Sequence, residues 1–223
     1  MGFYIDFGTI TMDQYLEKLK KKILIPSRMI LREDIDQRFA YFKSIGIKNV
    51  LELEKMLKKK DKLSALAEAP CLSEAYLKVL SSELKSIQTK PRKLKDFNGF
   101  ATDTISKLEA CGIKNTRHLF DRVLTPEKRA ELAGETGISE QDIMELTQLT
   151  DLTRIQWVNT TFARVLYEAG YDTIEKVAHA DYQVLYDTIM TLNAERHLYK
   201  GHIGLNDMHI VVQAAQEVSI DIT

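Results

Sequence analysis

Lys90-Pro91-Arg92-Lys93-Leu94-Lys95 gathers four cations in six residues with no acid among them. Lysine and arginine at this density suit an anionic polymer, because each phosphate they neutralise releases condensed counterions. Lys58-Lys59-Lys60 is a second candidate for the same contact, and Lys20-Lys21-Lys22 is a third basic cluster. Each run reads equally well as a solvated helix face or linker. The clusters belong to a wider division of charge. Residues 1–96 hold 20 Lys and Arg against 13 Asp and Glu, and residues 97–223 hold 11 against 19, although the chain as a whole carries a net charge of −1. Such asymmetry points to a polyanion-facing part beside a solubilising or partner-facing part.

Other chemistries have little to stand on. There is no Gly-x-Ser-x-Gly elbow, no cysteine with a motif-level histidine, and no glycine-rich phosphate loop ending in Lys-Ser/Thr, so no catalytic residue is expected and the chain reads as a non-enzyme. The nearest approach to metal-ligand spacing is His197, His202 and His209 with Asp207 nearby, which lacks the close pairing of helical zinc sites. We therefore expect no metal, no cofactor and no small-molecule substrate. Cys71 and Cys111 have no CxxC partner and read as reduced, buried thiols of a cytoplasmic protein. Phe39, Phe42, Phe120, Phe162 and Tyr167 read as core. Trp157, the only tryptophan, is a candidate protein contact if it sits exposed on a hairpin tip.

The elements that position these residues come from an internal repeat. Gly46-Ile47-Lys48-Asn49 returns as Gly112-Ile113-Lys114-Asn115 and, loosened, as Gly170-Tyr171-Asp172-Thr173. Ten positions before each glycine stands a helix-capping type: Asp36, Thr102 and Thr160. A second landmark recurs at Leu72-Ser73-Glu74, Ile138-Ser139-Glu140 and Leu205-Asn206-Asp207, the third copy carrying about nine extra residues before it. The glycines predict left-handed stops, and Asn49, Asn115 and Thr173 predict caps of the following helices, with Glu52 closing a capping box on Asn49. Ser73 and Ser139 predict further caps, and Thr125-Pro126 starts a helix with proline in its first position. Thr11 caps an N-terminal helix that Pro26 and Ser27 end. No segment shows sustained period-2 alternation, so essentially no sheet is expected beyond a short extended stretch near Phe3 to Thr9. The reading is all-α: residues 1–33 as an N-terminal extension and helix, then three tandem repeats of short helices at 34–96, 97–158 and 159–223.

At 223 residues, 44% of them hydrophobic, the chain has ample material for a sizeable core. No apolar run approaches the roughly 20 residues of a membrane span. The N-terminus shows neither a secretory signal nor a myristoylation pattern, so a cytoplasmic location with no membrane partner is expected.

Short helices joined through the phrase Leu-x-x-x-Gly-Ile-Lys resemble helix-hairpin-helix units, and their pairing within each repeat resembles the doubled domains of Holliday-junction-binding and ligase-type DNA proteins, a helix-hairpin-helix-like and SAM-domain-like arrangement. The nearest resemblance is to an uncharacterised bacterial family of tandem helix-hairpin-helix proteins, filed as a domain of unknown function. It covers about 190 residues and is carried best by Leu152-Thr153-Arg154-Ile155, Ala163 through Gly170, Asp172-Thr173-Ile174-Glu175 and Ala178-His179-Ala180-Asp181. In DNA-binding members of the wider group a Gly-hydrophobic-Gly hairpin offers backbone N–H groups to phosphate at a helix N-terminus. Here the middle hairpin, Gly99-Phe100-Ala101, keeps the first glycine and a small third residue. Trp157-Val158-Asn159 sets an indole, and Glu33-Asp34-Ile35 two carboxylates, where the phosphate would lie. The resemblance thus implies a DNA or RNA backbone contact through Gly99, Phe100, Ala101, Lys90, Arg92, Lys93 and Lys95, extended by Lys58, Lys59 and Lys60, against which Asp96 and Asp103 act. The alternative is a protein–protein scaffold with degenerate hairpins, contacting its partner through Trp157 and the acidic half.

Overall fold

Helix ends in this chain are set by glycine backbone geometry and side-chain caps. Gly46, Gly112 and Gly170 take φ of 88°, 79° and 85°, the left-handed region where a side chain is unfavourable. The N–H of the next residue then donates to the carbonyl five positions back: Ile47 to Phe42 at 3.1 Å, Ile113 to Leu108 at 2.9 Å, Tyr171 to Leu166 at 2.9 Å. The side chains of Asn49, Asn115 and Thr173 accept from Glu52, His118 and Lys176 N–H to open the helix that follows. Glu52 returns a bond to the Lys48 N–H at 2.8 Å, one residue before the cap itself.

The computed structural model describes residues 2–223, which fall into two units. One spans Ile5–Gln88. It holds α1 (Met12–Lys21), α2 (Ile35–Ser44), α3 (Val50–Lys58), α4 (Lys60–Leu66) and α5 (Glu74–Ile87). The other takes Thr89–Thr223 with the N-terminal tip through Tyr4. It holds α6 (Thr102–Ala110), α7 (Thr116–Phe120), α8 (Pro126–Thr136), α9 (Glu140–Leu152), α10 (Thr160–Glu168), α11 (Ile174–Ala178), α12 (Tyr182–Arg196) and α13 (Leu205–Ala215). Among the described residues there is no strand. Two isolated antiparallel bridges, Thr11 with Asn49 and Lys93 with Asn115, are the only extended pairing among them. The bridges match bond for bond. Met12 N–H donates to Lys48 and Val50 N–H to Ile10, as Leu94 N–H donates to Lys114 and Thr116 N–H to Arg92. Phe3 to Thr9, expected as extended, is instead turn and irregular chain.

Thr11, Ser73, Thr125 and Ser139 cap as expected. The capping roles read into Asp36, Thr102 and Thr160 are corrected. Asn159 precedes Thr160 and takes the Phe162 N–H at 2.8 Å, so the helix begins one residue earlier than the threonine alone suggests. Ala101 occupies the cap of α6, and its methyl side chain cannot accept a hydrogen bond. Asp34 heads α2 in a left-handed conformation, φ 45°, and Asp36 pairs with Lys20 instead at 2.6 Å. Gly204 heads α13, where the Asp207 carboxylate accepts its N–H at 2.8 Å.

Each unit buries its own core. Phe39, Phe42, Leu53, Leu77 and Leu80 fill the first, and Leu108, Leu119, Leu146, Leu149, Leu166 and Ile189 the second; Phe120 is buried as well. Phe162 is buried as read and Tyr167 is half-buried. Both cysteines are free and half-buried. Under the first core lies a charged cluster: Glu83, 1% exposed, pairs with Arg28 and, at 2.6 Å, with Lys22. No helix among the described residues is long and apolar enough to cross a membrane.

Candidate nucleic-acid interface

The basic segment is pinned by backbone, which leaves its side chains available. Arg92 N–H donates to the Thr116 hydroxyl at 3.0 Å, the bridge at Lys93 ties the strand-like stretch to Asn115, and Leu94 buries fully. Pinning alternate residues this way leaves Lys90, Lys93 and Lys95 exposed and Arg92 half-buried. Lys114, exposed, belongs to the chain across that bridge. None of these five cations forms an ion pair with a described residue. The Nε of Arg92 is buried and has no acceptor among the described residues.

A single turn, Leu94–Asp96, then leads to the hairpin. Gly99 adopts φ 99°, Phe100 packs half-buried on the core, and Ala101 is exposed at the head of α6. Because Ala101 cannot cap, no side chain takes up the first-turn N–H groups of α6. An uncapped helix head carries the positive end of the dipole and unpaired donors. Asp103 offsets part of that potential, and is itself paired with Lys107 at 2.8 Å. The reason for the glycine differs from the expected one. A Cβ on Gly99 would meet Arg164 Nη2 at 3.1 Å, so the side the glycine leaves open is filled by a guanidinium rather than kept for a phosphate. Arg164 donates to the Asn98 carbonyl at 2.7 Å, lies 5.4 Å from the Phe100 and Tyr167 ring centres, and pairs with Glu145 at 2.7 Å.

Trp157 stands where Gly99 stands, two residues before the helix cap, and shares its left-handed backbone at φ 74°. A bulky residue there costs about 1–3 kcal/mol. The residue as a whole is 45% exposed. The Glu33-Asp34-Ile35 turn is built differently, since its positive φ falls on the cap residue itself. Lys58, Lys59 and Lys60 join α3 to α4 in the other unit, Lys58 paired with Glu54 at 2.9 Å and the other two exposed.

Charged residues that the sequence did not single out anchor the second unit. Arg154, 3% exposed, donates to Asp151 at 2.5 Å, to Asp221 at 2.8 Å, and to the carbonyls of Ser219 at 3.0 Å and Gly2 at 3.3 Å; its guanidinium carbon lies 4.6 Å from the Phe120 ring centre. Burial pushes the Asp151 carboxyl up to about 6, against the opposing pull of Arg154. Since the folded value exceeds the ordinary 3.8, the folded state holds the proton more tightly. The stabilisation is complete below about pH 4 and lost as pH rises through about 6, by about 3 kcal/mol. Asp151→Asn, which stays neutral throughout, is therefore expected to gain on the parent chain by roughly that amount between pH 4 and pH 7. Urea unfolding of both proteins at the two pH values checks this, and parallel curves would contradict it. The sequence signal for this cluster was an acid and a base at i and i+3 within Leu149-Thr150-Asp151-Leu152-Thr153-Arg154-Ile155.

The site thus defines an all-helical protein with an exposed basic segment beside an uncapped helix head. The chain belongs to the family of a domain of unknown function, DUF4332, whose model matches residues 98–218. That span is narrower than the resemblance read from the sequence. It takes in the Gly99 hairpin, Arg154, Trp157 and Arg164 and stops short of the basic segment. No curated protein and no solved structure matches the chain.

Proposed function

We propose that this protein is a non-catalytic helical binding protein that holds the phosphate backbone of a nucleic acid, through paired helix-hairpin-helix-like units of which the middle hairpin is the working one. The observation that carries the reading is the coincidence, within Lys90 to Asp103, of unpaired cations, an arginine Nε lacking an acceptor, and a helix head with no cap. Lys90, Arg92, Lys93 and Lys95 supply charge, and the N–H groups around Ala101 supply directed donors. Contacts of this kind read no bases, so affinity is sequence-indifferent and strongly dependent on salt.

Four phosphate contacts correspond to about a hundredfold loss of duplex affinity between about 50 and about 200 mM salt. Fluorescence anisotropy with a labelled random-sequence duplex measures this directly. The double variant Arg92→Glu with Lys93→Glu is expected to weaken binding more than tenfold and to flatten the salt slope by about two contacts. Absence of binding at the lower salt overturns the reading. A second reading, a scaffold for a basic protein partner, is favoured by the 19 Asp and Glu against 11 Lys and Arg in residues 97–223 and would then take precedence.

A further inference from the structure

A hairpin can offer an N–H to an anion only if the carbonyl of the same peptide turns the other way. In a planar trans peptide the two groups point in opposite directions. The carbonyl of the peptide joining Asn98 to Gly99 is held by Arg164 of α10, whose Nη2 donates to it at 2.7 Å. The Gly99 N–H is thereby aimed away from that guanidinium. It belongs to an exposed residue and meets no acceptor among the described residues. The Cβ position of Gly99 lies on the opposite, guanidinium side, 3.1 Å from the same Nη2, so a side chain there would press on Arg164.

The guanidinium is itself fixed. Its Nη1 pairs with Glu145 at 2.7 Å and more distantly with Glu168 at 3.6 Å, and its carbon lies 5.4 Å from the Phe100 and Tyr167 ring centres. Arg196 pairs with Glu168 at 2.5 Å, so two cations meet two acids and these four side chains carry no net charge. The Arg164 side chain is only 11% exposed. From this we infer that Arg164 is the positioning residue of the hairpin: it holds the Asn98 carbonyl inward so that the Gly99 N–H faces the phosphate, and does not itself touch the ligand. The inference rests on the phosphate-binding reading of the same hairpin. One end of a planar fork meets an acid and the other a carbonyl, a task suited to arginine and not to a point charge. A backbone N–H neutralises no phosphate charge and releases no counterion. Arg164 therefore acts on affinity alone, whereas Arg92 and Lys93 act on affinity and salt dependence together.

Anisotropy of a labelled random-sequence duplex, followed across a salt series, separates this role from a direct contact. Arg164→Met with Glu145→Gln removes the guanidinium and one acid together, which leaves the net charge unchanged. The expected result is about tenfold weaker binding with an unchanged slope of log affinity against log salt. Gly99→Ala, which presses on Arg164 from the hairpin side, is expected to lose a similar factor, and all three changes together no more than either variant alone. A slope flattened by one contact in the Arg164→Met double variant makes Arg164 itself a phosphate ligand and overturns the positioning role. Parent affinity in that variant or in Gly99→Ala, or losses that multiply, also overturns it and leaves the Lys90 to Lys95 contacts standing. Where circular dichroism shows the double variant unfolded, Gly99→Ala decides alone. A parent chain that binds no duplex at about 50 mM salt removes the phosphate reading and this role together.

Discussion

Replacing Arg154 with methionine is expected to destabilise the Thr89–Thr223 unit by about 3–5 kcal/mol, the range for breaking a buried ion pair from one side. The side chain is 2% exposed and serves two carboxylates, Asp151 and Asp221, and the backbone carbonyls of Gly2 and Ser219. Methionine keeps much of the volume and supplies none of those donors, so both acids lose their partner inside the protein. The loss should also depend on pH. Arg154 holds the Asp151 carboxyl down against burial, so its removal lets that carboxyl rise further above its ordinary range. The variant is then penalised more at pH 8 than at pH 5, where the acid is neutral. Urea denaturation at both pH values measures the difference, and a cost under about 1 kcal/mol at pH 8 would contradict the assignment of Arg154 as the anchor of the tail.

An effect of similar size is expected in the other unit from Glu83→Gln. Glu83 is almost wholly buried and is the carboxylate shared by Arg28 and Lys22, whose side chains are 11% and 19% exposed. Arg28 also donates to the Ser86 hydroxyl at 2.8 Å and to the Ser82 carbonyl at 3.3 Å, so it stays fixed when the charge opposite it disappears. Burial already lowers the Arg28 pKa, a sign of how poorly this site solvates a cation. Uncompensated, the site should lose about 3–5 kcal/mol. The double variant Arg28→Met with Glu83→Leu should recover most of it, because a well-packed apolar pair often replaces a buried ion pair without loss. Hydrogen exchange in α1 and α5 separates the cases. A double variant as unstable as the single one would show that packing, not charge, is what Glu83 provides.

What could be read from the letters divides by the range of the interaction. Glycine stops and Asn, Ser and Thr caps act over a few residues and through chemistry specific to the residue type, so the stop at Gly112 and the caps at Asn115 and Ser139 are legible in the sequence. Errors of one or two residues arose where two capping types compete, as at Asn159 and Thr160. Buried charges were invisible because their partners are remote: Arg28 meets Glu83 at a separation of 55 residues, and Arg154 meets Asp221 at 67. On an amphipathic helix, nothing local distinguishes such a charge from a solvated one. The Gly99 hairpin was legible as a turn, whereas the reason for its glycine lay in Arg164, which bonds Asn98 across 66 positions. Nor does any sequence rule place a tryptophan at positive φ. That feature of Trp157 exists only in the folded hairpin.

The phosphate-binding account is tested most directly by backbone amide NMR during titration with a short unlabelled DNA strand at low salt. Shifts concentrated at Gly99 to Thr104 and Lys90 to Lys95, reversed by added salt and absent in Arg92→Glu with Lys93→Glu, are the predicted result. Shifts that avoid the Gly99 hairpin, or no shifts at millimolar strand, would contradict it.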